Sequence, residues 1–490
     1  MQSINVVWFK KDLRLCDHLP LYHAIKDGLP TLLLFFFEPS VIALHEQSER
    51  HWTFAKESIQ ALQKTLAPFQ AKVYCFENEV IPVFKAILTH YQINTVYSHQ
   101  EIGQKVTFDR DKAFTKFCKY QNIRWVEFQR DGIIRGLKDR NGWNDKWKEV
   151  MQTSILKIEL SKLKCLILEE NKFQNYGLLS FDNQIYKHHL QKGGEAMGWR
   201  YLQNFIEERA INYTRHISKP TESRKSCSRI SPYLAWGNLS IRQVYQLIVR
   251  EIEKLVPYQQ FHLKNFESRL HWHCHFIQRF EMACSMEFES LHATLDEVRQ
   301  HSNPEWVMAW ERGKTGIPLV DACMRCVNET GYLNFRMRAM LVSFLTHHLF
   351  QPWQAGVSHL ARQFLDYEAG IHYCQFQMQA GVMGTSSRFR IYNPTKQAEE
   401  HDPQAKFIQQ WLPELERLPT YLAVEPWKIT HLEEHLYKFK LGTDYPKPLV
   451  MVEDSARKAR EALFSIGKTE EAQEETRKLL DKHVEKKPRI

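Results

Sequence analysis

The sequence predicts an α/β doubly wound parallel-sheet domain at the N-terminus followed by an all-α domain. Three observations carry this reading. The chain has 490 residues, more than one core supports, because single cores stop growing near roughly 250–300 residues. Short β-branched and aromatic runs alternate with amphipathic stretches through the first 130 residues. Beyond about residue 194, apolar residues recur at i, i+3, i+4 spacing and strand signals nearly vanish.

In chain order, strands are expected over residues 4–9, 31–37, 71–76, 95–99 and 124–129, each bounded by polar turns. Helices are expected between them, over 20–26, 52–66, 80–91 and 109–120. This alternation implies right-handed crossovers and a parallel sheet over residues 1–130, which binds ligands beyond its strand carboxyl ends. It contains neither G-x-G-x-x-G nor a P-loop, so no phosphate cradle is signalled. Residues 131–195 are rich in Lys, Asn and Gln with weak periodicity, and read as an interdomain linker crossing the surface. Helical patterns over 199–208, 241–255, 267–282, 319–327 and 335–350 define a domain spanning 196–450. Residues 451–490 read as one charged helix and a basic tail, Lys486-Lys-Pro-Arg-Ile.

Composition narrows the function classes. A hydrophobic fraction of 43% with 25% charged residues excludes collagen, disorder and coiled coil as the overall class. The longest apolar run, over residues 31–37, is far short of the ~20 residues of a membrane span, and the polar start lacks the pattern of a secretion signal. A cytoplasmic protein is the expectation, and ten scattered cysteines suit a reducing compartment. The net charge of +9 favours an anionic partner or simply solubility. The 13 Trp, 19 Tyr and 29 Phe either fill a core or meet a flat cofactor or an unstacked base.

Four segments of the helical half concentrate chemistry. Cys227-Ser-Arg-Ile-Ser-Pro-Tyr-Leu-Ala-Trp-Gly237 places hydroxyls before a proline at a helix start, which suits phosphate oxygens or an ordinary cap. The run Trp310 to Arg325 is followed by Thr330-Gly-Tyr-Leu-Asn-Phe-Arg-Met-Arg338, where arginines two apart point differently. Phe364-Leu-Asp-Tyr-Glu-Ala-Gly370 supplies acids to answer them, and Arg388-Phe-Arg-Ile-Tyr-Asn-Pro-Thr-Lys-Gln397 adds cations. His271, His273, Cys274 and His275, with Cys323-x-x-Cys326, offer metal-ligand types but no second pair at standard spacing. No metal is expected.

Taken together, these segments resemble the photolyase/cryptochrome family. Val7-Trp-Phe-Lys-Lys-Asp-Leu-Arg-Leu15, Gly316-Ile-Pro-Leu-Val-Asp-Ala-Cys-Met-Arg325 and Arg390-Ile-Tyr-Asn-Pro394 carry the resemblance, and Asp402-Pro through Trp411-Leu-Pro-Glu-Leu415 extends it. The motifs run in order from residue 7 to about 427. The resemblance implies a U-shaped FAD in the helical domain. It implies that Tyr213 and the Ser228, Arg229, Ile230, Ser231 turn hold the pyrophosphate, that Arg338 pairs with Asp366 beside the ring, and that Glu368 brackets flavin and ribose. Trp272 aligns with a lesion-stacking tryptophan, its plainer reading being a core residue.

The chain also departs from the family pattern. Arg269 stands where repair enzymes carry a glutamate, Phe335 where an asparagine is usual, and Met378 where a second lesion-stacking tryptophan is usual. His372 aligns with the residue beside flavin N5, either as a proton shuttle near pH 6.5 or as a hydrogen-bonded core histidine. Trp353 matches the middle of the family's tryptophan electron chain, but Phe376 and Gln300 occupy its proximal and distal positions. Tyr373, Tyr367, Trp306 and Trp310 are the candidates for another path. Glu101 lies where folate-binding members place an acid, or is an exposed loop carboxylate. A second, antenna chromophore (methenyltetrahydrofolate or deazaflavin) is left open.

The expected activity is blue-light-driven, FAD-dependent repair of pyrimidine dimers, a deoxyribodipyrimidine photolyase with Arg336, Arg388 and Lys396 toward UV-damaged DNA. The alternative is a cryptochrome-type photoreceptor with a signalling partner. Strand preference stays open, and no membrane is expected.

Overall fold

The computed structural model describes residues 1–180, 189–384 and 389–485. Arg388 and residues 486–490, part of the basic cluster and tail read from the sequence, lie outside them. Six strands form one sheet in the order β5-β4-β1-β2-β3-β6. They are β1 (Gln2–Phe9), β2 (Thr31–Phe36), β3 (Val73–Phe76), β4 (Tyr91–His99), β5 (Arg124–Phe128) and β6 (Leu178–Leu179). The first five are mutually parallel, as the intervening helices require.

Alternation along the strands explains the near-continuous apolar runs. Ile4, Val6 and Trp8 face the helices Val80–Leu88 and Lys105–Tyr120. Val7 and Phe9, with Phe35 and Phe37, face the opposite side, in one core with Tyr233 and Trp236 of the helical half. A strand buried on both faces keeps no polar side to show.

Three boundaries differ from the sequence reading. The described residues of the 131–195 segment do not simply cross the surface: Trp143 and Trp147 of the Trp143–Gln152 helix, and Leu163, Leu168 and Phe173, are buried. β6 comes from this segment and pairs antiparallel with β3, so it covers a sheet edge. A two-residue strand has no period to detect. Tyr91, expected at a helix end, opens β4, because the Val80–Leu88 helix stops and the chain turns at Thr89 and His90. The C-terminal segment forms two helices, Val452–Ile466 and Glu470–His483; Thr469 caps the second by accepting the Ala472 N–H.

The two halves are clasped at the carboxyl end of β1. Leu13 N–H donates to the Trp236 carbonyl at 3.1 Å, Arg14 Nη1 to the Gly237 carbonyl at 3.0 Å, and Asn238 Nδ2 to the Leu13 carbonyl at 2.9 Å. Gly237 sits at φ +64°, and a Cβ there would lie 2.2 Å from the Lys11 carbonyl oxygen. Only glycine fits this approach. Among the described residues no helix is long and apolar enough to cross a membrane.

Candidate functional site

Strand order reverses between β1 and β4, and the crevice beyond their carboxyl ends is the place where such sheets bind ligands. Here it is filled by charge. Arg110 lies 2.5 Å from Glu38 and 2.6 Å from Glu101, with its guanidinium 4.9 Å from the Trp8 ring centre. Lys10 Nζ is 3.0 Å from Asp111. Burial would raise the Glu101 carboxyl, but Arg110 and Lys10 hold it at about 2. Glu101 is therefore a buried ion-pair partner rather than an exposed loop carboxylate. Burial pushes Glu38 the other way, up to about 7. The room left between Trp8, Phe35, Glu38, Trp52, Trp236 and Tyr367 is about 50 Å³.

Nearby, Asp12, His18 and His99 bring one oxygen and two ring nitrogens together in full burial. Asp12 Oδ2 is 3.0 Å from His18 Nε2 and 2.6 Å from His99 Nδ1. His18 Nδ1 accepts the Leu21 N–H, so its proton sits on Nε2 and points at Asp12. A metal would have to displace that proton; the arrangement is a satisfied hydrogen-bond cluster.

The helical half builds the second site. Arg338 donates two parallel hydrogen bonds to Asp366, at 3.0 and 3.1 Å, as the resemblance implied. Burial would raise the Asp366 carboxyl, but Arg338 and the Ser231 hydroxyl hold it below its ordinary range. Glu368, 2% exposed, has no hydrogen bond to either carboxylate oxygen from the described residues. Its nearest cations, Lys11 and Arg130, stand 3.7 Å away. A buried carboxylate lacking donors is costly and marks where a ligand's N–H or hydroxyl groups would complete the site.

The turn before the Ser231–Ala235 helix holds Arg229 at φ +61°. Gln191 pins it, donating to the Arg229 carbonyl at 2.9 Å and accepting from Nη2 at 2.8 Å, while the guanidinium lies 3.7 Å from the Tyr332 ring centre. Ser228 and Ile230 are buried in this turn. Tyr213 packs edge-on against Phe205 and Phe266, with its hydroxyl bonded to Arg269.

His372 is buried, and its Nε2 donates to the Val357 carbonyl at 2.8 Å, leaving Nδ1 as an acceptor. Burial pushes its pKa down to about 4, offset in part by that carbonyl, so it is neutral at pH 6.5. Titration near neutrality, which the sequence suggested, is removed by desolvation.

Trp272 is 44% exposed and stacks on Phe276 at 5.5 Å, so it is not a core residue. Arg269 is exposed beside it, donating to Asn265 Oδ1 at 3.2 Å. Phe335 is 51% exposed. Its neighbour Asn334 is buried, caps the Phe335–Ser343 helix through Oδ1 and leaves Nδ2 without a partner among the described residues. Met378 is partly buried against the core. Trp353 is buried, with Tyr373 at 6.3 Å and Phe376 at 6.4 Å; Gln300 is exposed. The Tyr373 hydroxyl bonds to Glu46, whose carboxylate also accepts from Ser358. Trp310 and Tyr367 are buried, while Trp306 is only partly so. Arg336 is tied to Ser218 at 2.9 Å, while Lys396 is exposed.

Sequence reasoning missed Lys11, Arg130, Asn334 and Tyr332. Asn334 is one residue before Phe335, and its helix-cap pattern is the signal that marks it. Lys11 and Arg130 come from the other half of the chain, which no local motif reports.

Two family descriptions match the chain: "DNA photolyase" over residues 5–135 and "FAD binding domain of DNA photolyase" over residues 266–465. The chain is 26% identical to "Cryptochrome DASH" of Synechocystis sp., covering 94% of this chain and 98% of that one. It is 28% identical to "Deoxyribodipyrimidine photo-lyase" of Escherichia coli, covering 91% and 96%. The crystal structure of the Synechocystis sp. cryptochrome superposes with a TM-score of 0.81 at 25% identity, over 94% of this chain and 99% of that one. With a photolyase-type sheet, an FAD-binding helical half and relatives spanning nearly its whole length, the chain belongs to the photolyase/cryptochrome family.

Proposed function

We propose that this chain is a blue-light-driven DNA-repair enzyme that splits UV-induced pyrimidine dimers. One observation carries the reading. The Trp272 ring stands exposed on a helix whose next residue, His273, lies in the field of Glu368 and Asp366. An aromatic face for an unstacked base thus adjoins the buried charged site. Extruding a base costs least where a lesion already weakens stacking.

When bound, FAD supplies light absorption and the electron that opens a cyclobutane ring. The chain's own groups would hold and surround it. The Glu368 oxygens would accept ring or ribose donors, the Asn334 amide would donate, and the Arg338–Asp366 pair would fix charge beside the ring. Ser228, Ile230 and the Tyr213 hydroxyl would line the phosphate turn, and His372 would present a neutral nitrogen. Arg269, a permanent cation, would face negative charge on the lesion without sharing a proton.

A cryptochrome-type photoreceptor is the second reading, favoured by Arg269 and Met378 standing where repair enzymes carry lesion-contacting residues. Blue-light treatment of an oligonucleotide carrying one cyclobutane dimer, with FAD-loaded and chemically reduced protein, separates the two. Thymines restored in light but not in darkness support repair. No restoration on single- or double-stranded substrate moves the assignment to signalling.

A further inference from the structure

The helix Pro257–Met282 has an unusual outer face. Tyr258, Phe261 and Trp272 are 49%, 60% and 44% exposed, and Val256 just before the helix is 61% exposed. At 3.6 residues per turn, Phe261 and Trp272 point within about 20° of each other and Tyr258 within about 60°, in a stripe about 21 Å long. Three large rings on one solvated helix face exceed what scattered surface apolarity explains. Exposed cations accompany them. Lys264 and Arg269 lie along the helix, and the Arg215 guanidinium is 5.6 Å from the Tyr258 ring centre. Glu267 is the one acid between residues 257 and 282 apart from Glu281, and it is partly buried against the Tyr245 hydroxyl.

We propose that this face is a track for single-stranded nucleic acid, with bases stacking on Phe261 and Tyr258 and continuing to Trp272, and phosphates meeting Arg215, Lys264 and Arg269. Ring faces are useful only to bases whose own faces are free, and a duplex hides them within its stack. The cations match a phosphate backbone and repel a basic partner. The inference rests on the DNA-directed reading above and deepens it by naming the strand state.

The test measures dark binding of an undamaged, fluorescein-labelled thymidine oligomer and of its duplex to the FAD-loaded full chain, at several salt concentrations. Tyr258→Ala and Phe261→Ala remove exposed rings whose inner edges touch His262, and Tyr421→Ala on another helix is the control. Each track variant should weaken single-strand binding roughly five- to 150-fold, the effect of losing one stacked base, with circular dichroism and flavin content unchanged. Affinity should fall as salt rises, and duplex should bind more weakly. Track variants that bind as wild type, or equal affinity for duplex, overturn the proposal, as does a dimer in sedimentation that the two variants dissolve. Light-driven repair is assayed on the same preparations. Ring-dependent dark binding without repair leaves the track standing and removes the repair reading, whereas repair with ring-independent binding removes the track alone.

Discussion

Replacing Arg110 with methionine would leave Glu38 and Glu101 buried without their shared cation. The structure sets the size of the effect. Burial would raise the Glu101 carboxyl, but Arg110, Lys10 and Lys11 together hold it at about 2 against an ordinary 4.5, and each tenfold in proton affinity is about 1.4 kcal/mol, so these cations contribute about 3 kcal/mol net of burial. A second contribution adds to it. At pH 7 an orphaned Glu101 escapes by taking up a proton, which also costs about 3 kcal/mol above an ordinary carboxylate pKa. Glu38 already sits near 7 and protonates at little further cost. Arg110→Met should therefore lose up to about 6 kcal/mol at pH 7.5 and about 3 kcal/mol less at pH 5, where the pairing is still lost but protonation is nearly free. In the wild type the signs differ between the two acids. The Glu101 contribution is present above 4.5 and lost as pH falls toward 2. The Glu38 carboxyl, raised, favours the fold below 4.5, and that contribution is lost as pH rises through 7. Urea titrations of both proteins at the two pH values, followed by circular dichroism, read the difference. Equal losses at both pH values, or a loss below about 1 kcal/mol at pH 7.5, would refute the electrostatic account.

Other outcomes follow from the same geometry. Gly237→Ala should destabilise by more than about 2 kcal/mol, because left-handed strain adds to collision with the Lys11 carbonyl, whereas Gly28→Ala, at φ +72° with nothing within 4 Å, carries the strain alone; melting curves compare the two. Asp366→Asn removes the charge from a bidentate pair and should weaken FAD retention at least about tenfold, read as the flavin-to-protein ratio after dialysis. The carbon-bound ring protons of His372, assigned by difference from His372→Asn, should show no inflection between pH 5.5 and 8.5, since the ring titrates at about 4. A midpoint near 6.5 would show that the ring is hydrated.

Much of this was legible in the sequence, for identifiable reasons. β1 and β2 are apolar on both faces, so their runs stand out, and the Arg338–Asp366 pair sits in motifs whose order fixes the family. The state of each group was less legible. His372 looked like a neutral-pH titrator because its burial and its Val357 carbonyl come from elements distant in sequence. Glu101 looked like a loop acid for the same reason, its fate being set by Arg110 on a later helix and Lys10 on the first loop. β6 escaped because two residues carry no period, and the orphaned Glu368 oxygens escaped because a missing partner leaves no trace in a string of letters.

The clasp around Gly237 has a consequence for how the protein comes apart. Leu13, Arg14 and Asn238 exchange hydrogen bonds across the seam, and the sheet face carrying Phe9 shares one apolar core with Trp236. Neither half can open its seam without exposing the other. Amide protons at Leu13 and in the segment 236–242 should therefore exchange with one common free energy, as a single cooperative unit. By the same reasoning the helical half, made without the sheet, should expose the apolar face around Trp236 and Tyr233 and lose solubility.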